Sequence, residues 1–133
     1  MSEPPIVRAL EKDGWDVEKK PYRLLAENRT VYADLCLARH LNGHPEEIII
    51  VEVKCFTNPM TDLQELYGAM GQYLYYRSIL LFHHIDLPVY LAIPQEAYLR
   101  LTADLVIRIL FYERGVNLVI VDLDREQVVQ WIR

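Results

Sequence analysis

The chain has 133 residues, enough for one domain with a modest hydrophobic core and too few for two domains of ordinary size. Hydrophobic residues make up 52% of the sequence and charged residues 25%, which is typical of a folded globular protein and excludes a disordered, collagenous or disulfide-scaffold chain. Fourteen Lys and Arg residues against nineteen Asp and Glu residues give a formal net charge of -5, which argues against nucleic-acid binding through a basic surface alone.

The apolar segments are too short to place the chain in a membrane. Residues 48–51 and 79–82 are the clearest apolar runs, and neither approaches the length that spans a bilayer. Residues 1–5 lack the basic and apolar regions of a signal peptide. We therefore expect a cytoplasmic protein whose two cysteines, Cys36 and Cys55, are free thiols that fill core space.

The first half of the chain predicts one short helix followed by three strands. Apolar residues at helical spacing predict a helix over residues 5–13, which Pro4 and Pro5 truncate at its start and which ends before Gly14. Segments rich in β-formers predict strands over 15–20, 30–38 and 47–56, and Pro21 favours a sheet edge for the first strand. The turn sequence Asn42-Gly43 predicts that the other two strands form an antiparallel hairpin.

The second half predicts alternating helices and strands. A capping box, Thr61 with Gln64, opens the longest helix, which continues to Phe82. The pattern then predicts the following elements: a strand over 89–93, a helix over 95–113, and strands over 116–121 and 127–132. The order α-β-β-β-α-β-α-β-β indicates an α/β fold in one domain spanning residues 1–133, with a central mixed sheet flanked by helices.

Charged residues lie within the most apolar predicted strand. Glu52 and Lys54 are two positions apart, so both side chains leave the same face of the strand. The predicted hairpin brings Asp34 of the preceding strand across from Glu52. Charged residues are rarely tolerated in such a strand unless they are paired or used, so the three side chains form a candidate site.

This candidate site favours metal-dependent phosphodiester hydrolysis. Carboxylates of Asp34 and Glu52 can hold Mg²⁺ or Mn²⁺, which prefer oxygen ligands. Lys54 can orient water or stabilise the charge that develops on a phosphate. The alternative interpretation is a buried cluster of ion pairs without a chemical role.

The longest predicted helix adds two polar side chains and a large apolar surface. Gln72 and Tyr76 share a face with Gly68, whose missing side chain predicts a close approach to another element. The helix tyrosines either stack bases or pack against the sheet or another subunit; they are Tyr67, Tyr73, Tyr75 and Tyr76. The second half of the helix has little polar surface, which indicates cover by other structure or an interface with a second copy or a partner; its apolar residues are Leu74, Ile79, Leu80, Leu81 and Phe82.

Asp34, Glu52-Val53-Lys54 and Gln72-x-x-x-Tyr76, in this order of elements, resemble the PD-(D/E)XK restriction-endonuclease-like superfamily. The chain is more closely similar to the XisH family, cyanobacterial controlling factors for excision of the fdxN element. Nearly the whole chain from Val7 carries this resemblance, in the segments RALEKDGW (8–15), VEVK (51–54), GQY (71–73), YLAIP (90–94) and QWI (130–132).

The resemblance implies an endonuclease-like α-β-β-β-α-β core and a role in programmed DNA rearrangement. It implies catalytic positions at Asp34, Glu52, Lys54, Gln72 and Tyr76, with Mg²⁺ or Mn²⁺ held by Asp34 and Glu52. It also implies a XisI-like protein as partner and DNA as the candidate nucleic acid, while the apolar second half of the longest helix fits either such a partner or a homodimer. Two hypotheses follow: a nuclease-like protein, or a non-catalytic accessory module that keeps the scaffold and binds its partner.

The chain departs from the superfamily pattern at two positions. Ala33 stands where a proline often precedes the Asp, and the first helix lacks an evident acidic residue. Glu3 is placed to substitute for that acid, or it belongs to a disordered terminus ahead of the two prolines.

Overall fold

A six-stranded mixed sheet forms the centre of the fold in the computed structural model, which describes residues 2–133. The helices and strands follow one another as α1 (Glu3–Lys12), β1 (Asp16–Lys19), β2 (Tyr22–Leu25), β3 (Thr30–Ala33), β4 (Leu35–Leu41), β5 (His44–Val53), a short 3₁₀ turn (Pro59–Thr61), α2 (Asp62–Phe82), β6 (Val89–Pro94), α3 (Gln95–Thr102), α4 (Leu105–Glu113), β7 (Leu118–Asp122) and β8 (Gln127–Ile132). No helix within residues 2–133 meets the length and hydropathy that crossing a bilayer requires.

The strand order β1-β4-β5-β6-β7-β8 confirms the predicted mixed sheet. Strands β1, β4 and β5 are antiparallel neighbours, β5, β6 and β7 are parallel, and β8 returns antiparallel to β7. The edge position that Pro21 predicted for β1 is confirmed. The β4–β5 hairpin is also confirmed, since Asn42 and Gly43 both adopt positive φ angles, 54° and 79°, as a tight hairpin turn requires.

Helices cover the sheet on both faces. Helix α1 lies on one face, next to β1, β7 and β8, and belongs to the same apolar cluster as Leu35, Ile49 and Val51. Helices α2, α3 and α4 and the β2–β3 hairpin pack on the other face, where Ile50 and Leu91 are fully buried. Strand β6 and residues 48–51 of β5 are central and enclosed from both sides, which explains why these segments are continuously apolar rather than alternating.

Two predictions about the first half of the chain were wrong. Helix α1 begins at Glu3 and includes both prolines in its first turn, where a residue without an amide hydrogen loses no helical hydrogen bond. The predicted strand over 30–38 is two strands separated by Asp34. Strand β3 leaves the main sheet and pairs with β2, a strand over residues 22–25 that the sequence pattern did not predict.

Two predictions about helix ends in the second half were also wrong. Thr61 does not cap α2 with its side chain; its hydroxyl donates to the Asn58 carbonyl oxygen at 3.1 Å within the 3₁₀ turn. The predicted helix over 95–113 is two helices, because the Asp104 carboxylate accepts the amides of Val106 and Ile107 and begins a new helix.

Candidate functional site

Asp34 and Glu52 lie side by side at the point where the chain passes from β3 to β4. The Asp34 amide donates to Glu52 Oε1 at 3.1 Å, and the Val53 amide donates to Asp34 Oδ2 at 2.8 Å. Leu35 pairs with Val51, so the hairpin register sets Asp34 next to Glu52. The two carboxylates thus accept backbone amides at the position where β4 and β5 would otherwise continue their main-chain hydrogen bonds. The structure therefore places both predicted metal ligands next to each other.

Lys54 completes a charged group at the end of β5. Its Nζ lies 3.7 Å from Glu52 Oε2, and its amide donates to the Ala92 carbonyl oxygen of β6 at 3.0 Å. The Glu52 side chain is 6% exposed, whereas that of Lys54 is 20% exposed. The carboxylate is therefore nearly enclosed, whereas the Lys54 side chain keeps some contact with solvent.

Helix α2 supplies the other two predicted site residues. The Tyr76 hydroxyl donates to the Tyr32 carbonyl oxygen at 3.0 Å and lies beside the Glu52 carboxylate. Gln72 Nε2 donates to the Tyr76 hydroxyl at 3.5 Å. Gln72 Oε1 is buried and accepts no hydrogen bond from any group in residues 2–133. The structure thus gathers all five predicted site residues around one point and leaves one buried amide oxygen unsatisfied.

Burial dominates the electrostatics of the site. It raises the pKa of Glu52 from its usual 4.5 to about 7, and the neighbouring Asp34 charge adds to this increase. Lys54, the hydrogen bond from the Asp34 amide and the neighbouring Tyr76 hydroxyl oppose the increase without cancelling it. The pKa of Tyr76 is also raised, first by burial and then by the Glu52 charge. Near neutral pH the Glu52 carboxyl is therefore about half protonated, while Tyr76 remains a neutral hydrogen-bond donor.

The donor atoms of the site fit a hard divalent cation. The two backbone hydrogen bonds leave Asp34 Oδ1 and Glu52 Oε2 for other partners, and Gln72 Oε1 lacks one. These are oxygen donors, which Mg²⁺ and Mn²⁺ prefer over nitrogen or sulfur. No group of three or more His, Cys, Asp and Glu side chains suited to a metal occurs within residues 2–133. The protein would therefore supply two carboxylates, and water or phosphate the remaining ligands.

A clamp on the chain just after Lys54 escaped sequence analysis. Phe56 is buried with a left-handed φ of 50°; its amide donates to Glu65 Oε2 at 2.9 Å, and its carbonyl accepts Arg100 Nη2 at 2.7 Å. Arg100 also forms a bidentate pair with Asp62, at 2.9 and 3.1 Å. The sequence shows that Asp62 and Glu65 are acidic residues near the start of α2, but no spacing pattern indicates that they and Arg100 bind the same segment. The clamp fixes the path of the segment that follows the candidate site.

Three further predictions concern Glu3, Gly68 and the tyrosines of α2. Glu3 is not part of a disordered terminus: it begins α1, and its carboxylate lies 3.6 Å from Lys20 Nζ. The close approach predicted at Gly68 is wrong, since this glycine is exposed and a Cβ there would meet no atom within 4 Å. Of the helix tyrosines, Tyr73 and Tyr76 are buried, whereas Tyr67 and Tyr75 are exposed.

Comparison with known proteins gives one family and two solved structures. The XisH protein family model matches residues 3–129, which include every candidate site residue. An XisH family protein from Nostoc punctiforme PCC 73102 is 28% identical, with a TM-score of 0.87 over 99% of this chain and 98% of that chain. An fdxN element excision controlling factor protein from Anabaena variabilis is 26% identical, with a TM-score of 0.85 over the same shares. The comparison with curated proteins gives no match.

Proposed function

The chain belongs to the XisH family, and we propose that it acts in the control of fdxN element excision, a programmed DNA rearrangement. The similar protein from Anabaena variabilis carries this role in its name, and the similarity extends over almost the full length of both chains. DNA is accordingly the nucleic acid with which this chain, or its complex with a partner, would act.

We further propose that the site at the end of β5 supports metal-dependent phosphodiester hydrolysis. The observation that carries this proposal is the pair of hydrogen bonds that hold the two carboxylates together, from the Asp34 amide to Glu52 and from the Val53 amide to Asp34, with Lys54 Nζ 3.7 Å from the Glu52 carboxylate. Asp34 and Glu52 would hold Mg²⁺ or Mn²⁺, and such a cation supplies Lewis-acid polarisation of a phosphate and a more acidic water. Lys54 would place its charge against a phosphate oxygen.

Gln72 and Tyr76 would support the acidic pair rather than react. Tyr76 holds the end of β3 through the Tyr32 carbonyl and so fixes the chain just before Asp34. The unsatisfied Gln72 Oε1 can accept a hydrogen bond from water at the site. Because the pKa of Glu52 is about 7, its carboxyl must lose a proton for a cation to bind, so affinity should rise with pH up to and above neutrality.

A cleavage assay tests this proposal. Single- and double-stranded DNA and RNA are incubated with the protein and Mn²⁺, in parallel with Asp34→Ala, Glu52→Gln and Lys54→Met. Lys12→Met, which removes an exposed lysine on α1, serves as the matched control for Lys54→Met. We expect cleavage that all three site variants lose and the control keeps. Cleavage that survives the three substitutions would show that the activity does not belong to this site.

A second candidate function is a non-catalytic module that binds a XisI-like protein. Helices α3 and α4 favour it, because they expose five large apolar side chains over 47% to 72% of their surface: Leu99, Leu105, Val106, Ile109 and Tyr112. The net charge of -5 also leaves little general attraction for DNA. Calorimetric titration with a XisI-family protein tests this function, with Val106→Asp expected to weaken binding. Tight protein binding without metal-dependent nucleic-acid affinity would favour this function over hydrolysis.

A further inference from the structure

The segment that forms β2 carries a basic surface in an otherwise acidic protein. Residues 19–29 run from the end of β1 through β2 to the turn before β3, and they hold four basic side chains and one acidic one, in a chain whose net charge is -5. Lys20 Nζ lies 3.6 Å from the Glu3 carboxylate. The other three basic side chains are exposed and form no salt bridge within residues 2–133; they are Lys19, Arg23 and Arg29. Their positive charge is therefore available for an external anion.

An exposed aromatic ring lies within this basic surface. Tyr32 of β3 is directly opposite Arg23 of β2, so both side chains leave the same face of the hairpin. The opposite face packs on the core through the buried Leu24 and Ala33, whereas Tyr32 is 56% exposed. The outer face of the hairpin thus offers a flat ring on which a base can stack and a guanidinium that can bind a phosphate.

The backbone of Tyr32 is connected to the candidate site. The Tyr32 carbonyl oxygen accepts the Tyr76 hydroxyl at 3.0 Å, and this hydroxyl lies beside the Glu52 carboxylate. Asp34 follows Tyr32 by two residues, a separation of about 7 Å in an extended chain. The ring is thus attached at a fixed position next to the acidic pair, close enough for one strand of nucleic acid to reach both.

We propose that the outer face of the β2–β3 hairpin binds single-stranded DNA, with a base stacked on Tyr32 and a phosphate bound by Arg23. This inference rests on the proposed action on DNA and names its substrate class. In a duplex the faces of the bases are covered by their neighbours, so the ring of Tyr32 can stack only on a base that is outside a duplex. The small number of free cations also suits one strand, because tight binding to a duplex requires the neutralisation of many phosphates.

Fluorescence anisotropy of a labelled oligothymidylate in the presence of EDTA tests the stacking without cleavage. We expect the wild type to bind this strand more tightly than a duplex of the same length, and Tyr32→Ala to raise the dissociation constant by about tenfold. Tyr32→Phe should bind like the wild type because it keeps the ring, whereas Tyr32→Leu should bind as weakly as Tyr32→Ala. Tyr67→Ala removes a ring that is 68% exposed on α2, and as the matched control it should leave the affinity unchanged.

The salt dependence of the same binding tests Arg23. Arg23→Gln should reduce the slope of the logarithm of affinity against the logarithm of salt concentration by about 0.7, the value for one phosphate contact on a single strand. Arg114→Gln, at an exposed arginine just after α4, is the control and should keep the wild-type slope. An abasic strand keeps the phosphates and offers no base, so the wild type and Tyr32→Ala should bind it equally.

Several outcomes would overturn the proposal. Equal affinity of the wild type and Tyr32→Ala for the oligothymidylate would do so, as would a duplex bound as tightly as the single strand. A loss of affinity in Tyr67→Ala instead of Tyr32→Ala would show that the base stacks on α2. A protein partner whose binding Tyr32→Ala abolishes, with DNA binding unchanged, would show that the hairpin is a protein-binding surface.

The binding assay separates this proposal from hydrolysis. It contains no divalent cation, so a chain that binds single strands as expected and cleaves none of them would refute hydrolysis and support the binding surface. Conversely, cleavage that Asp34→Ala abolishes and Tyr32→Ala leaves unchanged, with no effect of Tyr32→Ala on binding, would support hydrolysis and refute the binding surface. Circular dichroism shows whether each variant is folded; if Tyr32→Ala is not, Tyr32→Leu takes its place.

Discussion

The charge of Glu52 should make the protein less stable as pH rises, and Glu52→Gln should remove this dependence. The substitution keeps the Oε1 atom that accepts the Asp34 amide and removes only the ionisable group. Between pH 4.5 and about 7 the folded chain holds a proton on Glu52 that the unfolded chain has lost, so the unfolded state binds fewer protons and the free energy of unfolding falls as pH increases.

The size of the effect follows from the two pKa values. The difference between 4.5 and about 7, at about 1.4 kcal/mol per pKa unit, corresponds to about 3 kcal/mol once the pH exceeds 7. We therefore expect Glu52→Gln to match the wild type near pH 4.5 and to exceed it by about 2–3 kcal/mol at pH 8.5. Urea unfolding at a series of pH values without divalent cations measures this, with the exposed Glu27→Gln as control. A stability difference between Glu52→Gln and wild type that does not change with pH would refute the reasoning.

Three further predictions concern the site and its supports. At pH 8, Mn²⁺ should raise the thermal unfolding temperature of the wild type and not that of Asp34→Ala, since a ligand stabilises only the state that binds it. An equal increase for both proteins would mean that Mn²⁺ binds at a site other than the one formed by Asp34 and Glu52. Arg100→Ala should lower the free energy of unfolding by about 1–3 kcal/mol, because it leaves the Phe56 carbonyl oxygen without its partner. Arg100→Lys should recover part of that loss. Equal free energies of unfolding for wild type and Arg100→Ala, measured by urea unfolding, would contradict a stabilising role for the clamp. Tyr76→Phe should cost about 1 kcal/mol in the same assay, since the Tyr32 carbonyl oxygen loses its donor; a variant as stable as wild type would mean that water replaces the hydroxyl.

The sequence predicted the parts of the fold that depend on local patterning. The continuous apolar segments of β5 and β6, the Asn42-Gly43 turn and the length of α2 each follow from one segment read alone. The hairpin itself was predicted, but the Asn42-Gly43 turn alone would set Asp34 opposite Val51; a register shift at Arg39 and His40 moves the pairing by one residue and sets Asp34 next to Glu52. Local rules therefore predicted the hairpin that carries the candidate site, whereas the register shift that aligns its two carboxylates was not predicted.

The remaining features depend on interactions between distant segments. The break between β3 and β4 at Asp34 could not be predicted, because it lies within a segment rich in β-formers. Its cause is that the Asp34 carboxylate, rather than a backbone carbonyl, accepts the Val53 amide of β5. The clamp at Phe56 joins residues 44 positions apart in the chain through Arg100, and no spacing rule connects them. The exposure of Leu81 could not be predicted either. Apolar residues on all sides of a helix indicate that the helix is buried, but they do not indicate which of its sides packs against the rest of the chain.

The hydrogen bonds between Asp34 and the end of β5 make the candidate site a property of one strand register. A slip of β4 by a single residue would turn alternate side chains to the opposite face of the sheet and separate the two carboxylates. Misregistered hairpins, which can bury similar apolar surface, would therefore lack the acidic pair altogether. If the acidic pair binds a cation, only hairpins in the native register would bind it, and hairpins shifted by one residue would not. A metal titration during refolding would therefore report the alignment of β4 with β5 as well as the affinity for the cation.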